Sequence, residues 1–111
     1  MLGVPVRVTT ARSAPQPGSE ETLRQYIVAL SQGHPDYDSM TPEVAAWTRG
    51  QLPFSQSILG KLGPLRALSF RAVSALGSDI YMAHFANGTA EWRIGLTRKG
   101  TIARIALGPQ Y

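Results

Sequence analysis

His34, Asp36 and Asp38 stand two residues apart in His-Pro-Asp-Tyr-Asp, the spacing that a hard-metal site or an acid/base pair would use. Calcium asks for about six to eight oxygen ligands, and no second ligand cluster accompanies this one. The stretch is therefore expected to be a connecting loop whose Asp side chains accept from nearby backbone N–H groups, with no metal. Arg71, His84 and Glu91, with Met82, Arg93 and Arg104 beside them, form a second set. On neighbouring strands they would make an anion or partner site, or plain cross-strand charge pairing. The aromatics Tyr26, Tyr37, Trp47, Phe70, Tyr81, Phe85 and Trp92 are the third set. They either line a small-molecule pocket or fill a core. There is no cysteine, so thiolate zinc, disulfides and a cysteine nucleophile are excluded. No Gly-x-Ser-x-Gly elbow and no glycine-rich phosphate loop is present, and no cofactor is expected.

These side chains need elements to hold them. Residues 1–18 read as a tail, with Val4-Pro5-Val6-Arg7-Val8-Thr9 as a short edge strand and Ala14-Pro15-Gln16-Pro17-Gly18 as linker. The remainder, 19–111, is one domain. Ser19 is expected to cap a helix with Glu20 and Glu21 in its first turn. Leu23, Tyr26, Ile27 and Leu30 give it one apolar stripe, and Gly33 ends it. Thr41 and Pro42 open a second helix, with Val44, Trp47 and Gln51 or Leu52 along one side. Pro53 is expected to break or kink it, with Phe54, Ile58, Leu59 and Leu62 on a third short helix that Gly63-Pro64 stops.

Four strands follow, at about 67–76, 79–86, 89–97 and 101–108, joined by turns at Gly77-Ser78, Asn87-Gly88 and Lys99-Gly100. Two-residue turns set Phe85 opposite Ala90, Tyr81 opposite Ile94, His84 opposite Glu91 and Arg71, Phe70 opposite Phe85, Leu96 opposite Ala103, and Ile94 opposite Ile105. One face then carries Leu68, Phe70, Ala72, Tyr81, Ala83, Phe85, Trp92, Ile94, Leu96, Ala103, Ile105 and Leu107. The other carries Arg71, Val73, Ile80, Met82, His84, Glu91, Arg93, Ile102, Arg104 and Ala106. The fold expected is α+β: three N-terminal helices on a curved four-stranded antiparallel sheet. The apolar residues among the arginines of the outer face suggest a homodimer through that face.

The chain has 111 residues, a formal charge of +4 and a pI near 10.0. Charged residues are only 16% of it, so a modest imbalance moves the pI far. The arginines fall on one face and the aromatics on the other, which leaves no ring on which to stack a base. No nucleic-acid partner is expected. Nothing approaches the roughly 20 apolar residues of a membrane helix, and no membrane partner is expected. The first residues lack the apolar run of a signal peptide.

The stretch Pro35-Asp36-Tyr37-Asp38-Ser39-Met40-Thr41-Pro42 is followed by Thr48-Arg49-Gly50-Gln51-Leu52-Pro53 and by Leu62-Gly63-Pro64-Leu65 running into Leu68-Ser69-Phe70. Asp79-Ile80-Tyr81 and Phe85-Ala86-Asn87-Gly88-Thr89-Ala90-Glu91-Trp92-Arg93-Ile94 complete the pattern. Over about residues 19–108 it resembles the cystatin-like superfamily of nuclear transport factor 2-like and SnoaL-like domains. It is closest to a small bacterial domain attached to, or encoded with, exported serine hydrolases and beta-lactamase-like proteins. The resemblance implies a cone-shaped sheet and a non-catalytic accessory or small-ligand-binding role, with an apolar pocket between helices and sheet. It also implies an exported, periplasmic setting. The superfamily's isomerases and lyases imply the alternative, an enzyme acting on a small molecule. Asp36 or Asp38 would then be the base, and Tyr37 or Tyr81 the acid or oxyanion donor. A protein-interaction module using the outer face is the other alternative.

Overall fold

In the computed structural model, residues 14–110 are described; the edge strand expected at 4–9 lies outside them. Two α-helices, α1 (Ser19–Gln32) and α2 (Pro42–Leu62), precede four strands, β1 (Leu65–Val73), β2 (Asp79–Phe85), β3 (Gly88–Leu96) and β4 (Ile102–Gln110). The strands form one antiparallel meander in chain order. The fold of the described residues is α+β, as its periodicities foretell, but with two α-helices over 19–62 where three are expected.

The stripe Leu23, Tyr26, Ile27 and Leu30 is buried along α1. Gly33 takes the left-handed conformation, and the Gly33 and His34 amides donate to Leu30 and Ala29, closing the helix in a Schellman motif. Gly18, not Ser19, occupies the N-cap. Ser19 is instead the first helical residue, fully buried, with its Oγ 2.7 Å from Tyr81 Oη. Gln16, within the stretch expected to be linker, is bonded to the sheet. Its amide N–H donates to Asp79 Oδ2 at 2.8 Å, and its side chain exchanges two hydrogen bonds with the Leu96 backbone.

Thr41 and Pro42 open α2 as expected, with Thr41 Oγ1 accepting from Val44 N. Pro53 does not break the helix, which runs unbroken to Leu62. The carbonyl that Pro53 leaves without an intrahelical donor is that of Arg49. Arg49, Gly50 and Pro53 are all exposed, so water can serve that carbonyl. Val44, Thr48, Ser55, Leu59 and Leu62 line the buried side on both flanks of the proline, and burying that side holds the helix through it.

The turns differ from those expected. Phe85 pairs with Gly88, so Ala86 and Asn87 make the β2–β3 turn, and neither has positive φ. Their amides donate to the Pro64 and Leu62 carbonyls. Docking on the end of α2 thus outweighs the Asn-Gly preference. The other two connections are three-residue loops. Ser74 N–H donates to Ser78 and Gly77 N–H to Ser74; Thr97 N–H donates to Thr101 and Gly100 N–H to Thr97. Gly77 and Gly100 supply the left-handed residue each loop needs.

Tyr81 therefore faces Trp92 rather than Ile94, and Phe70 faces Tyr81 rather than Phe85. Both shifts are even, so the faces survive: Tyr81, Ala83, Phe85, Trp92 and Ile94 point inward while Arg93 is exposed. Ile94 does sit opposite Ile105. Bulges overturn the strand ends. Arg71 is an extra residue between Phe70 and Ala72, which leaves Ala72 exposed and sets Val73 opposite buried Asp79. Ala103 is another, which turns Ile102 inward opposite Leu96. Ile102 also bridges Met40, whose neighbour Thr41 donates to the Ile102 carbonyl. The chain entering α2 thus lies on the free edge of β4.

The core between helices and sheet is filled by Trp92, Tyr81, Leu23, Ile27, Leu30, Ile94 and Ile102. Tyr26 meets Trp92 edge-on at 6.1 Å, and Phe70 meets Tyr81 at 5.7 Å. Each such large side chain contributes about 1.5–3 kcal/mol on burial.

Candidate functional site

Because α2 starts at the β4 edge, its first turns stand beside that edge with a cleft between them. Val44, Trp47, Ala103, Ile105 and Ala106 form most of its walls. Glu43, Arg93 and Arg104 supply charge, and the β1–β2 loop closes one end through Ser74, Leu76 and Ser78. The cleft measures about 440 Å³. Trp47 is 44% exposed and Leu76 79%, high values for large apolar side chains. A second, smaller pocket of about 220 Å³ shares Trp47 and is lined by Phe54, Ile58 and Leu107.

Each charge lining the cleft has its own setting. Glu43 lies in the first turn of α2, where the helix dipole favours an acid. Arg93 pairs with Glu91 at 3.3 Å. Arg104 is exposed and donates from Nε to Ser78 Oγ at 2.8 Å. Its guanidinium lies against Gly95, its cross-strand partner: a Cβ there would fall 2.7 Å from Nη2.

The aromatic set does not line one central pocket. Tyr81, Phe85 and Trp92 are core, while Tyr37 and Phe70 pack partly buried against it. Of the seven, Trp47 lines the cleft, and Tyr26 lines a separate cavity of about 300 Å³ with Thr22, Gln25, Asp36, Ser39 and Met40. Sequence periodicity places Trp47 on α2 but does not say that it stays at the rim.

The candidate acid/base residues are dispersed. Asp36 caps the short 3-10 turn Tyr37–Ser39, accepting from Asp38 N–H, as a connecting loop should. Asp38 and His34 are exposed. Tyr37 lies under the Arg49 guanidinium, 4.4 Å from its ring centroid. Tyr81 Oη is engaged by Ser19. Burial pushes the Tyr81 hydroxyl up from its ordinary value, the Ser19 bond partly opposing this and the Asp79 charge adding to it. Burial likewise raises Tyr26, partly offset by its bond to Thr48. Both phenols are therefore protonated at neutral pH. Among the described residues, no three His, Asp or Glu side chains converge as metal ligands.

The expected row Arg71–His84–Glu91 is not formed, because Arg71 is the bulged residue and the β2–β3 register is shifted. His84 lies opposite Ala67 and Thr89 and shares a hydrogen bond with Ser69. Glu91 lies opposite Met82, which is half-buried. With Val73 and Ile102 turned inward, Ile80, Met82 and Ala106 are what remains of the apolar set expected on the outer face. No helix among the described residues is long and apolar enough to cross a membrane.

Comparison with family models, with curated proteins and with solved structures returns no match.

Proposed function

We propose that this chain is a non-catalytic binding module that takes a small, apolar-bodied ligand in the cleft between α2 and the β4 edge. The observation that carries the reading is the cleft itself. Its 440 Å³ lies within the roughly 300–1,000 Å³ usual for ligand sites. It leaves Trp47 and Leu76 in water, where filling the cleft would cover them. Its lining carboxylate is Glu43, at the α2 N-terminus, and no histidine, aspartate or tyrosine lines it to form an acid/base pair with that group. The resemblance to the small domains of exported serine hydrolases supports an accessory role. A cystatin-like cone and a periplasmic setting belong to the same proposal.

Trp47 supplies the test. The chain has two tryptophans, and Trp92 is buried away from solvent. Titration with octanol should shift Trp47 emission saturably to shorter wavelength, and Trp47→Phe should abolish the signal while the fold persists by circular dichroism. An emission spectrum unchanged up to the solubility limit of octanol would refute the reading.

A further inference from the structure

We propose that the ligand of this cleft is an amphipathic carboxylate, its apolar body against Trp47 and Ile105 and its carboxylate on Arg104. This rests on the binding reading above and adds the head-group chemistry. The charges lining the cleft are not equivalent. Glu43 is complemented by the α2 N-terminus and Arg93 by Glu91. Among the described residues, Arg104 has no carboxylate partner.

Arg104 is also held in place. Ser78 Oγ accepts from its Nε at 2.8 Å, and the guanidinium occupies space that only a glycine at position 95 leaves open. The bulge at Ala103 sets this register, placing Arg104 opposite Gly95 while Ile102 turns inward. Fixing Nε on a neutral hydroxyl leaves the guanidinium charge uncompensated and its terminal nitrogens available to a planar acceptor. A carboxylate matches that fork with two parallel hydrogen bonds. The walls adjoining Arg104 are Ala103, Ile105 and Ala106, and Trp47 and Val44 lie on the helix side. An anion alone would leave those walls wet, and a neutral apolar molecule would leave the guanidinium unmatched; an amphiphile with a carboxylate head answers both.

The experiment compares octanoate, octanol and octylammonium, which share a chain and differ in head group, by calorimetry and Trp47 emission on the whole chain. Octanoate should bind about tenfold more tightly than octanol, the scale of a hydrogen bond to a charged group, and octylammonium should bind weakest. Arg104→Gln should bring octanoate down to the octanol level, closing the gap between the two probes. Gly95→Ala, which displaces the guanidinium without removing it, should reduce the octanoate advantage in the same direction. Because Gly95 is buried, circular dichroism checks its fold, and exposed Arg104 keeps the test valid if Gly95→Ala does not fold. Octanol binding as tightly as octanoate, or octanoate binding unaffected by Arg104→Gln, overturns the carboxylate proposal while leaving the apolar cleft intact. Failure of all three probes overturns both.

Discussion

Gly100 has a φ of 86°, and nothing lies within 4 Å of where a Cβ would stand. A side chain there meets no neighbour, so any cost of adding one is backbone strain alone. Gly100→Ala should destabilise the chain by about 1–2 kcal/mol, the penalty of a left-handed residue with a Cβ; its urea midpoint measures this. An unchanged midpoint would mean that the β3–β4 loop does not need a left-handed residue. Gly95 makes a different demand. It is buried and its φ is not positive, but the Arg104 guanidinium fills the space beside it. One glycine serves a turn and the other serves a side chain across the strand. A lone glycine in a strand signals close approach in general, yet nothing local in the sequence names Arg104 as what approaches. That is why Arg104 reads there only as one of several outer-face arginines.

At the scale of elements, signals confined to a few neighbouring residues were legible and those set by distant contacts were not. The α1 stripe, the Gly33 ending, the Thr41-Pro42 start and the Gly63 stop depend on local geometry, and each is where the residues place it. Face membership in the middle of the sheet was also legible, because even shifts of register preserve it. The bulges at Arg71 and Ala103 were not, since an extra residue in a strand leaves no turn-like signature. The Asn87-Gly88 signal yielded to the Asn87 amide binding Leu62 at the end of α2 and the Ala86 amide binding Pro64 just beyond it. Within the candidate site, Trp47 was legible as an aromatic of interest. The cleft was not, since it arises where Met40 and Thr41 fasten α2 to the β4 edge. The helix passes Pro53 for a related reason, since tertiary burial of the flanking stripe carries it across. A helix-interior proline costs about 3 kcal/mol, and its rigidity in the unfolded chain returns up to about 1 kcal/mol. Pro53→Ala should therefore stabilise the chain by about 2 kcal/mol in urea denaturation. Destabilisation would mean that α2 is two helices with a turn at Pro53.

Over the whole molecule, two buried phenols tie the layers together. Tyr26 Oη bonds Thr48 Oγ1 at 2.9 Å, joining α1 to α2, and Tyr81 Oη bonds Ser19 Oγ at 2.7 Å, joining β2 to α1. Burial holds both hydroxyls above their ordinary value, and the nearby Asp79 and Glu20 charges add to this at Tyr81. An unfolded tyrosine loses its proton near pH 10, about its unperturbed value. Below that pH both states keep the phenols neutral, and the two tyrosines give stability no pH dependence. Above it the unfolded chain holds fewer protons than the folded one, so stability falls as pH rises and keeps falling until the folded phenols ionise. The urea midpoint should therefore drop between about pH 9 and pH 11, the range around that unperturbed value. Tyr26→Phe and Tyr81→Phe should each lower stability at neutral pH, because each strands a buried hydroxyl partner. Each should also flatten the alkaline slope, because each removes one titrating group. If both variants keep the full slope, the alkaline loss belongs to other groups, and the two phenols are not the alkaline-sensitive ties between the layers.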